Sequence, residues 1–196
     1  MAPRSFEFIA GSPALCLVDT LSQRGSANKE LLNSTGDLAA WLRSAGLVMG
    51  SVAAISERQL RAARTLREAI YRSGLAVIAH RPLRSDDVRI LNEIAARPPL
   101  RPRLIGRRLV QVGALPVEAA FSTLAADALH LFGTALRERV RACAGCQMMF
   151  LDNSRPGWRR WCSSVSGCGN RAKVRNLRAR RKRSSNRRAA GERRTK

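Results

Sequence analysis

Residues 143–171 read CAGCQMMFLDNSRPGWRRWCSSVSGCGNR, and the fold turns on how their cysteines are spaced. The pattern is Cys143-x2-Cys146-x15-Cys162-x5-Cys168, four sulfurs within 26 residues, while the fifth cysteine, Cys16, stands alone. A two-residue gap lets both sulfurs of one knuckle face a single ion. A loop of about 15 residues can bring a second pair round to complete a tetrahedron. Four sulfurs leave no open coordination position, so one structural Zn²⁺ on Cys143, Cys146, Cys162 and Cys168 is the expected cofactor. Separate buried thiols or a redox Cys-x-x-Cys are the alternatives. Met148 to Leu151 reads as a strand under the metal, residues 152–157 as a turn, and Cys168-Gly169-Asn170 as the start of a helix. Trp161 reads as filler for the small core of this module.

Charge points the same way. The net charge is +22 at a pI near 11.7, and the last 60 residues hold 19 basic against 3 acidic side chains. Such a block needs a counter-charge, and phosphates are the usual one. Four thiolates around Zn²⁺ carry a formal charge of −2, which the neighbouring arginines offset. Arg155, Arg159, Arg160, Arg171, Lys173, Arg175, Arg178, Arg180, Arg181, Lys182 and Arg183 are the candidate nucleic-acid contacts. Trp158 and Trp161 flank two of them. From Arg178 onward the chain is low in complexity and order is expected to fade.

Upstream lies a mainly helical region. Phe6 to Ile9 could form a short strand. Ser12-Pro13 opens a helix, and Ser34-Thr35-Gly36-Asp37 has capping-box form ahead of Leu38, Trp41, Leu42 and Ala45. Ser56 caps a longer helix with Leu60, Ala63, Leu66 (or Arg67), Ile70 and Tyr71 on its buried side. Ser85-Asp86 begins another, in which Asp86 and Asp87 read as first-turn charges rather than a catalytic pair. Two β-rich runs around Gly106 suggest a hairpin over 101–112, and Pro116 starts a long helix that could reach Val140. No apolar run reaches about 18 residues and no basic-then-apolar leader is visible, so the chain reads as cytoplasmic with no membrane role. Asp19-Thr20, polar on an apolar helix, could face a small-molecule pocket, with a solvated or locally capped pair as the other reading. No nucleophile with an acid–base partner accompanies His80 or His130, so nothing argues for an enzyme.

Arg160-Trp161-Cys162 followed by Cys168-Gly169-Asn170-Arg171-Ala172-Lys173-Val174-Arg175 resembles the CGNR zinc finger, as does Phe150-Leu151-Asp152-Asn153-Ser154-Arg155. The likeness covers about residues 140–183. One residue more than the family's usual number separates the third and fourth cysteines. In that family the finger follows an ABATE domain, a stress-response regulatory module, whose opening resembles Phe8-Ile9-Ala10-Gly11-Ser12-Pro13-Ala14-Leu15 with Val18-Asp19-Thr20-Leu21. Asp37 to Leu42 and Ala45-Gly46-Leu47 resemble its second helix. Cys16 and Asp19 depart from the usual Asp and Asn.

The resemblance implies an α+β chain: an ABATE-like sensing domain over 1–136, mainly helical with a small β-hairpin, a treble-clef-like finger over 137–183, and a basic, disordered tail over 184–196. It implies a DNA-binding transcription regulator, with double-stranded DNA and an unknown small molecule as partners. An RNA- or ribosome-associated zinc protein is the second reading. A small-molecule enzyme with a basic localising tail is the third.

Overall fold

The computed structural model describes residues 6–24, 27–49, 54–163, 165 and 167–192, with backbone alone for 183–192. Six helices and three two-stranded antiparallel hairpins make up the chain over these residues. Helix α1, Pro13–Val18, is capped by Ser12, whose side chain accepts from the Leu15 N–H. Asp127 reinforces that cap, its Oδ2 accepting from Ser12 Oγ at 2.5 Å and from the Ala14 N–H at 2.9 Å. Strands β1, Leu21–Ser22, and β2, Lys29–Glu30, pair next. The capping boxes open α2, Thr35–Ser44, at Ser34 and Asp37, and α3, Glu57–Ile78, at Ser56 and Gln59. Helix α4, Ser85–Ala95, follows, then β3, Arg101–Ile105, and β4, Arg108–Val112, in register from Arg101↔Val112 to Ile105↔Arg108. Helix α5 spans Pro116–Gly133.

Trp41, Leu42, Leu60, Leu66, Ile70 and Leu124 lose essentially all solvent exposure, and α3 and α5 run through the middle of the core. Apolar burial of this kind contributes about 1.5–3 kcal/mol for each such aliphatic or aromatic side chain. The apolar core does not stop at the end of α5. It continues through Val140, Met149 and Phe150 of the third hairpin, β5, Val140–Ala142, and β6, Met149–Leu151.

Three expectations are corrected. Residues 6–9 form no strand, since no strand among the described residues forms a ladder with them; Phe8 instead sits with its ring centroid 6.0 Å from that of Trp41. The helix begun at Pro116 ends at Gly133. There Thr134 turns extended, donates its hydroxyl to the His130 carbonyl and accepts from the Leu136 N–H, which starts a 3₁₀ turn over Ala135–Arg139. Helix α6, Cys168–Glu192, carries regular backbone on past Arg178, from where the low-complexity composition suggested that order would fade. Arginine, lysine and alanine are among the best helix formers, and that local preference decides the segment. Residues 193–196 lie outside the described residues.

Leu66 and Arg67, the alternatives for the buried side of α3, are both buried. Arg67 of α3 is only 3% exposed. It donates to both oxygens of Glu30 at 2.7 and 2.8 Å, to Glu68 at 2.8 Å and to Thr20 Oγ1 at 3.3 Å. Arg24 grips Glu68 with two 2.9 Å bonds and lies 3.8 Å from the Tyr71 ring centroid. This network pins the loop between α1 and α2 onto α3. Burial acts to raise the Glu30 carboxyl. The Arg67 hydrogen bonds, the Leu32 N–H and the charges of Arg67 and Arg64 outweigh it, leaving Glu30 below its ordinary value of 4.5. Asp86 and Asp87 do lie in the first turn of α4, but Asp87 is buried beneath Arg72, whose Nε donates at 3.0 Å.

A carboxylate with a depressed folded pKa stabilises the fold above its unfolded pKa and loses that contribution as pH falls through the folded value. Glu30 therefore adds to acid unfolding below about pH 4.5. In a Glu30→Gln variant the melting midpoint should be lower at pH 7 and should depend less on pH between 5 and 3 than in the wild type. Arg72→Ala leaves the Asp87 carboxylate buried without its cation. The cost should be about 2–3 kcal/mol, below the range for fully buried pairs because Arg72 is 38% exposed. The urea midpoint reads it directly.

Candidate metal centre and basic arm

The hairpin β5–β6 places the first knuckle in its turn. The Cys143 N–H donates to the Met148 carbonyl at 2.8 Å and the Gln147 N–H to the Cys143 carbonyl at 3.0 Å, with Gln147 in the left-handed region. The Ala144 N–H donates to the Arg160 carbonyl at 3.1 Å, which draws the segment before Cys162 across the knuckle. Cys168 comes from the first residue of α6. A hairpin with the knuckle in its turn, followed by a helix that brings the last ligand, makes a treble-clef-like finger.

The four sulfurs lie within 4.8 Å of one another, with Cys146 and Cys162 at 3.6 Å. A tetrahedron with Zn–S bonds of about 2.3 Å has edges of about 3.8 Å. A disulfide requires about 2.05 Å, and all four cysteines are free thiols. Among the described residues this is the one group of three or more His, Cys, Asp or Glu side chains so disposed. Gly145 is needed for the approach: a Cβ there would stand 3.1 Å from Cys168 Cβ and 3.4 Å from the Trp161 ring. Trp161 is half-buried and packs against the core beside Gly145 and Gly169, the role expected of it.

Electrostatics favour a cation here. Burial acts to raise the Cys143 and Cys146 thiols. At Cys143 the surrounding backbone N–H groups more than offset it and bring the thiol to about 7, whereas at Cys146 the Cys162 sulfur adds to the rise. The sulfurs alone do not sustain four negative charges, and a divalent ion does. Arg171 donates through Nη2 to Cys168 Sγ at 3.3 Å and partly balances the excess charge. Together with the spacing, these observations make the site one structural Zn²⁺ on four thiolates.

The turn after β6 is held by buried polar contacts. Asp152, 1% exposed, accepts from the Ser154 N–H at 2.9 Å and the Arg159 N–H at 2.8 Å. Burial works against its charge, and the hydrogen bonds from Ser154 and Arg159 outweigh it, so the carboxyl stays below the usual range. Arg139 donates to the Ser154 carbonyl at 2.8 Å and Arg141 to the Gly157 carbonyl at 3.2 Å. Neither arginine was singled out from the sequence, since a basic residue in a basic segment gives no sign that it points inward.

The candidate contacts divide. Arg155, Arg160, Arg171, Lys173, Arg175, Arg178, Arg180, Arg181 and Lys182 are exposed, the last seven along α6. Arg183 is described by backbone alone. Arg159 differs: its guanidinium lies 4.2 Å from the Phe150 ring centroid and its Nε donates to the Trp161 carbonyl at 2.9 Å. It braces the finger. Trp158, by contrast, is 81% exposed.

Asp19 and Thr20 are placed against the protein itself. Thr20 is 1% exposed, donates to the Leu17 carbonyl at 2.7 Å and accepts from Arg67. Asp19 caps the C-terminus of α1 and borders a crevice shared with Arg24, Cys146 and Met149 that has no room for a water molecule. Burial, with Glu7 nearby, raises its pKa to about 6.

The finger is seated on the helical region. The Leu151 N–H donates to the Ala10 carbonyl at 2.7 Å, and Phe150 and Met149 are buried. A Cβ at Gly74 of α3 would fall 2.6 Å from Met149 Sδ, so that helix face is cut to receive it. Residues 11–135 match the ABATE family model, described as "Putative stress-induced transcription regulator", and residues 139–181 match that of the CGNR zinc finger. None of the curated proteins matches the chain. No helix among the described residues is long and apolar enough to cross a membrane.

Metal analysis should find one zinc per chain, undiminished in a Cys16→Ala variant and lost in Cys143→Ala. Chelation should leave most of the far-UV helical signal, because α1 to α5 keep their own core. The shared packing through Met149 and Phe150 should nevertheless lower the calorimetric midpoint of that helical region by several degrees.

Proposed function

The chain belongs to the ABATE family and carries a CGNR zinc finger, and on that premise we propose that it is a transcription regulator whose finger and basic arm grip double-stranded DNA while the helical region senses a signal. One observation carries the reading. Between Asp152 and Glu192 there is no acidic residue, and the cations from Arg155 to Lys182, Arg159 apart, stand exposed on a metal-braced finger and one continuous helix. Lys and Arg that neutralise phosphates release condensed counterions, so affinity falls steeply with salt. Contacts of this kind set position, whereas sequence is read by side chains reaching base edges. Arg155 and Arg160 on the finger and Arg171, Lys173 and Arg175 on the first turns of α6 stand on the metal-braced part and are the candidates for base contact. The arm from Arg178 onward supplies sequence-independent attraction.

Trp158 favours a second reading, binding to RNA. An aromatic ring 81% exposed beside Arg160 is a platform on which an unpaired base can stack. Comparing duplex DNA with structured RNA at two salt concentrations separates the readings.

Truncation after Lys173 removes eleven cations. It should weaken duplex binding and flatten the dependence of log affinity on log salt, by about 0.9 for each phosphate that is no longer neutralised. Unchanged affinity and slope would refute the role of the arm. Arg159→Ala should act differently from Arg160→Ala. The first should lower the melting midpoint of the finger, and the second should leave stability alone and reduce affinity.

A further inference from the structure

Residues 97–119 fold around a bowl of about 700 Å³ at the base of the β3–β4 hairpin. Pro98, Pro99, Val112, Ala114, Leu115 and Ala119 supply an apolar lining, with Arg97, Arg101 and Glu118 as its charged members. The volume lies within the range of small-molecule sites, and the mix of apolar wall with a few charged groups is what such sites share. Leu115 is 65% exposed at the mouth and occupies the N-cap position of α5, where Ser, Thr, Asp or Asn is the usual residue. No side chain caps that helix. Its first turn, through Glu118 and Ala119, forms part of the bowl.

The charges choose the ligand. No ion pair engages Arg97 or Arg101 among the described residues, while the Glu118 carboxylate already accepts from Gln59 Nε2 at 2.9 Å. Two guanidinium groups against one carboxylate leave one positive charge to match. The positive end of an uncapped helix adds to it. A polyanion such as a nucleotide would meet Glu118 and too little apolar complement. A neutral apolar body would leave the arginines unused.

We infer that this bowl binds a small organic monoanion, a monocarboxylate on an aromatic or branched apolar body, with Arg97 and Arg101 holding the carboxylate and the wall formed by Pro98, Val112 and Leu115 taking the body. The inference rests on reading the helical region as the sensing part, and it gives that part a site and a ligand class. It also moves the site away from Asp19 and Thr20, which face other parts of the chain.

Fluorescence titration of the zinc-loaded full chain tests it without nucleic acid. The probes are 1-anilinonaphthalene-8-sulfonate, an aromatic monoanion, and N-phenyl-1-naphthylamine, the same body without charge. The anion should bind at one site per chain and be displaced by 4-isopropylbenzoate but not by 4-isopropylbenzamide. An Arg97→Ala/Arg101→Ala variant should bind the anion about tenfold more weakly, the weight of one charge-assisted hydrogen bond, with the neutral amine unaffected. Ala114→Trp, which fills the bowl, should weaken both. All three positions are exposed, so zinc content and melting midpoint should stay at wild-type values. Equal binding of the anion by wild type and double variant would overturn the inference, because the sulfonate would then be held by the basic arm. Displacement by the amide as readily as by the acid would overturn it too. Either failure leaves the duplex-binding reading standing, since that is measured separately by salt slope.

Discussion

Two strands of three residues each hold the metal module to the rest of the chain. Phe150 and Met149 of β6 enter the helical core, Leu151 bonds the backbone just ahead of α1, and Gly74 leaves the face of α3 open for the methionine. A zinc module of this size has almost no apolar interior, and its binding free energy is its folding free energy. By sharing a core it obtains a rigid base. The knuckle then stands at a defined angle to α1, and α6 leaves the metal in a direction set by Cys168 rather than by a flexible joint. The finger is thus positioned by packing and closed by metal, and neither alone suffices.

Helix α5 joins the two ends of this arrangement. Its first turn lines the bowl beside Arg97 and Arg101, while Phe132 at its other end lies with Met149 against Gly74. An 18-residue helix is about 27 Å long. Buried along nearly its whole length, it behaves as a strut between a candidate ligand site and the seat of the finger. That contiguity is geometric. Energetic coupling would need two arrangements of the strut that both sites bias.

Much of this was readable in the sequence where the deciding forces are local. Ser12, Ser34 and Ser56 cap helices because a side-chain oxygen two or three residues from an orphan N–H satisfies it wherever it occurs. The cysteine spacing carries the metal site for the same reason, since ligand reach is a short-range constraint. What escaped notice depends on partners far apart in the chain. Helical spacing offers Arg67 as a buried position but not its partner Glu30, 37 residues away, and nothing near Asp127 points to Ser12 across 115 residues. Arg159 was grouped with its exposed neighbours because composition does not show which of two adjacent arginines stacks on Phe150. The break at Thr134 escaped a reading tuned to apolar spacing, since it comes from one hydroxyl bonding backward to His130. The bowl escaped too, being a space between loops.

Beyond Ala172 the sixth helix has no buried side chain among its described positions, and its apolar members Val174 and Leu177 are about half exposed. Packing therefore contributes nothing to its order there. Its backbone preference for helix is opposed by rows of like charge, Arg171 with Arg175 and Arg178 with Lys182, each pair four residues apart. Such pairs cost a few tenths of a kcal/mol apiece and are screened by salt. The order of this arm is thus its backbone preference set against its own charge, and electrolyte that screens the charge tips the balance toward helix.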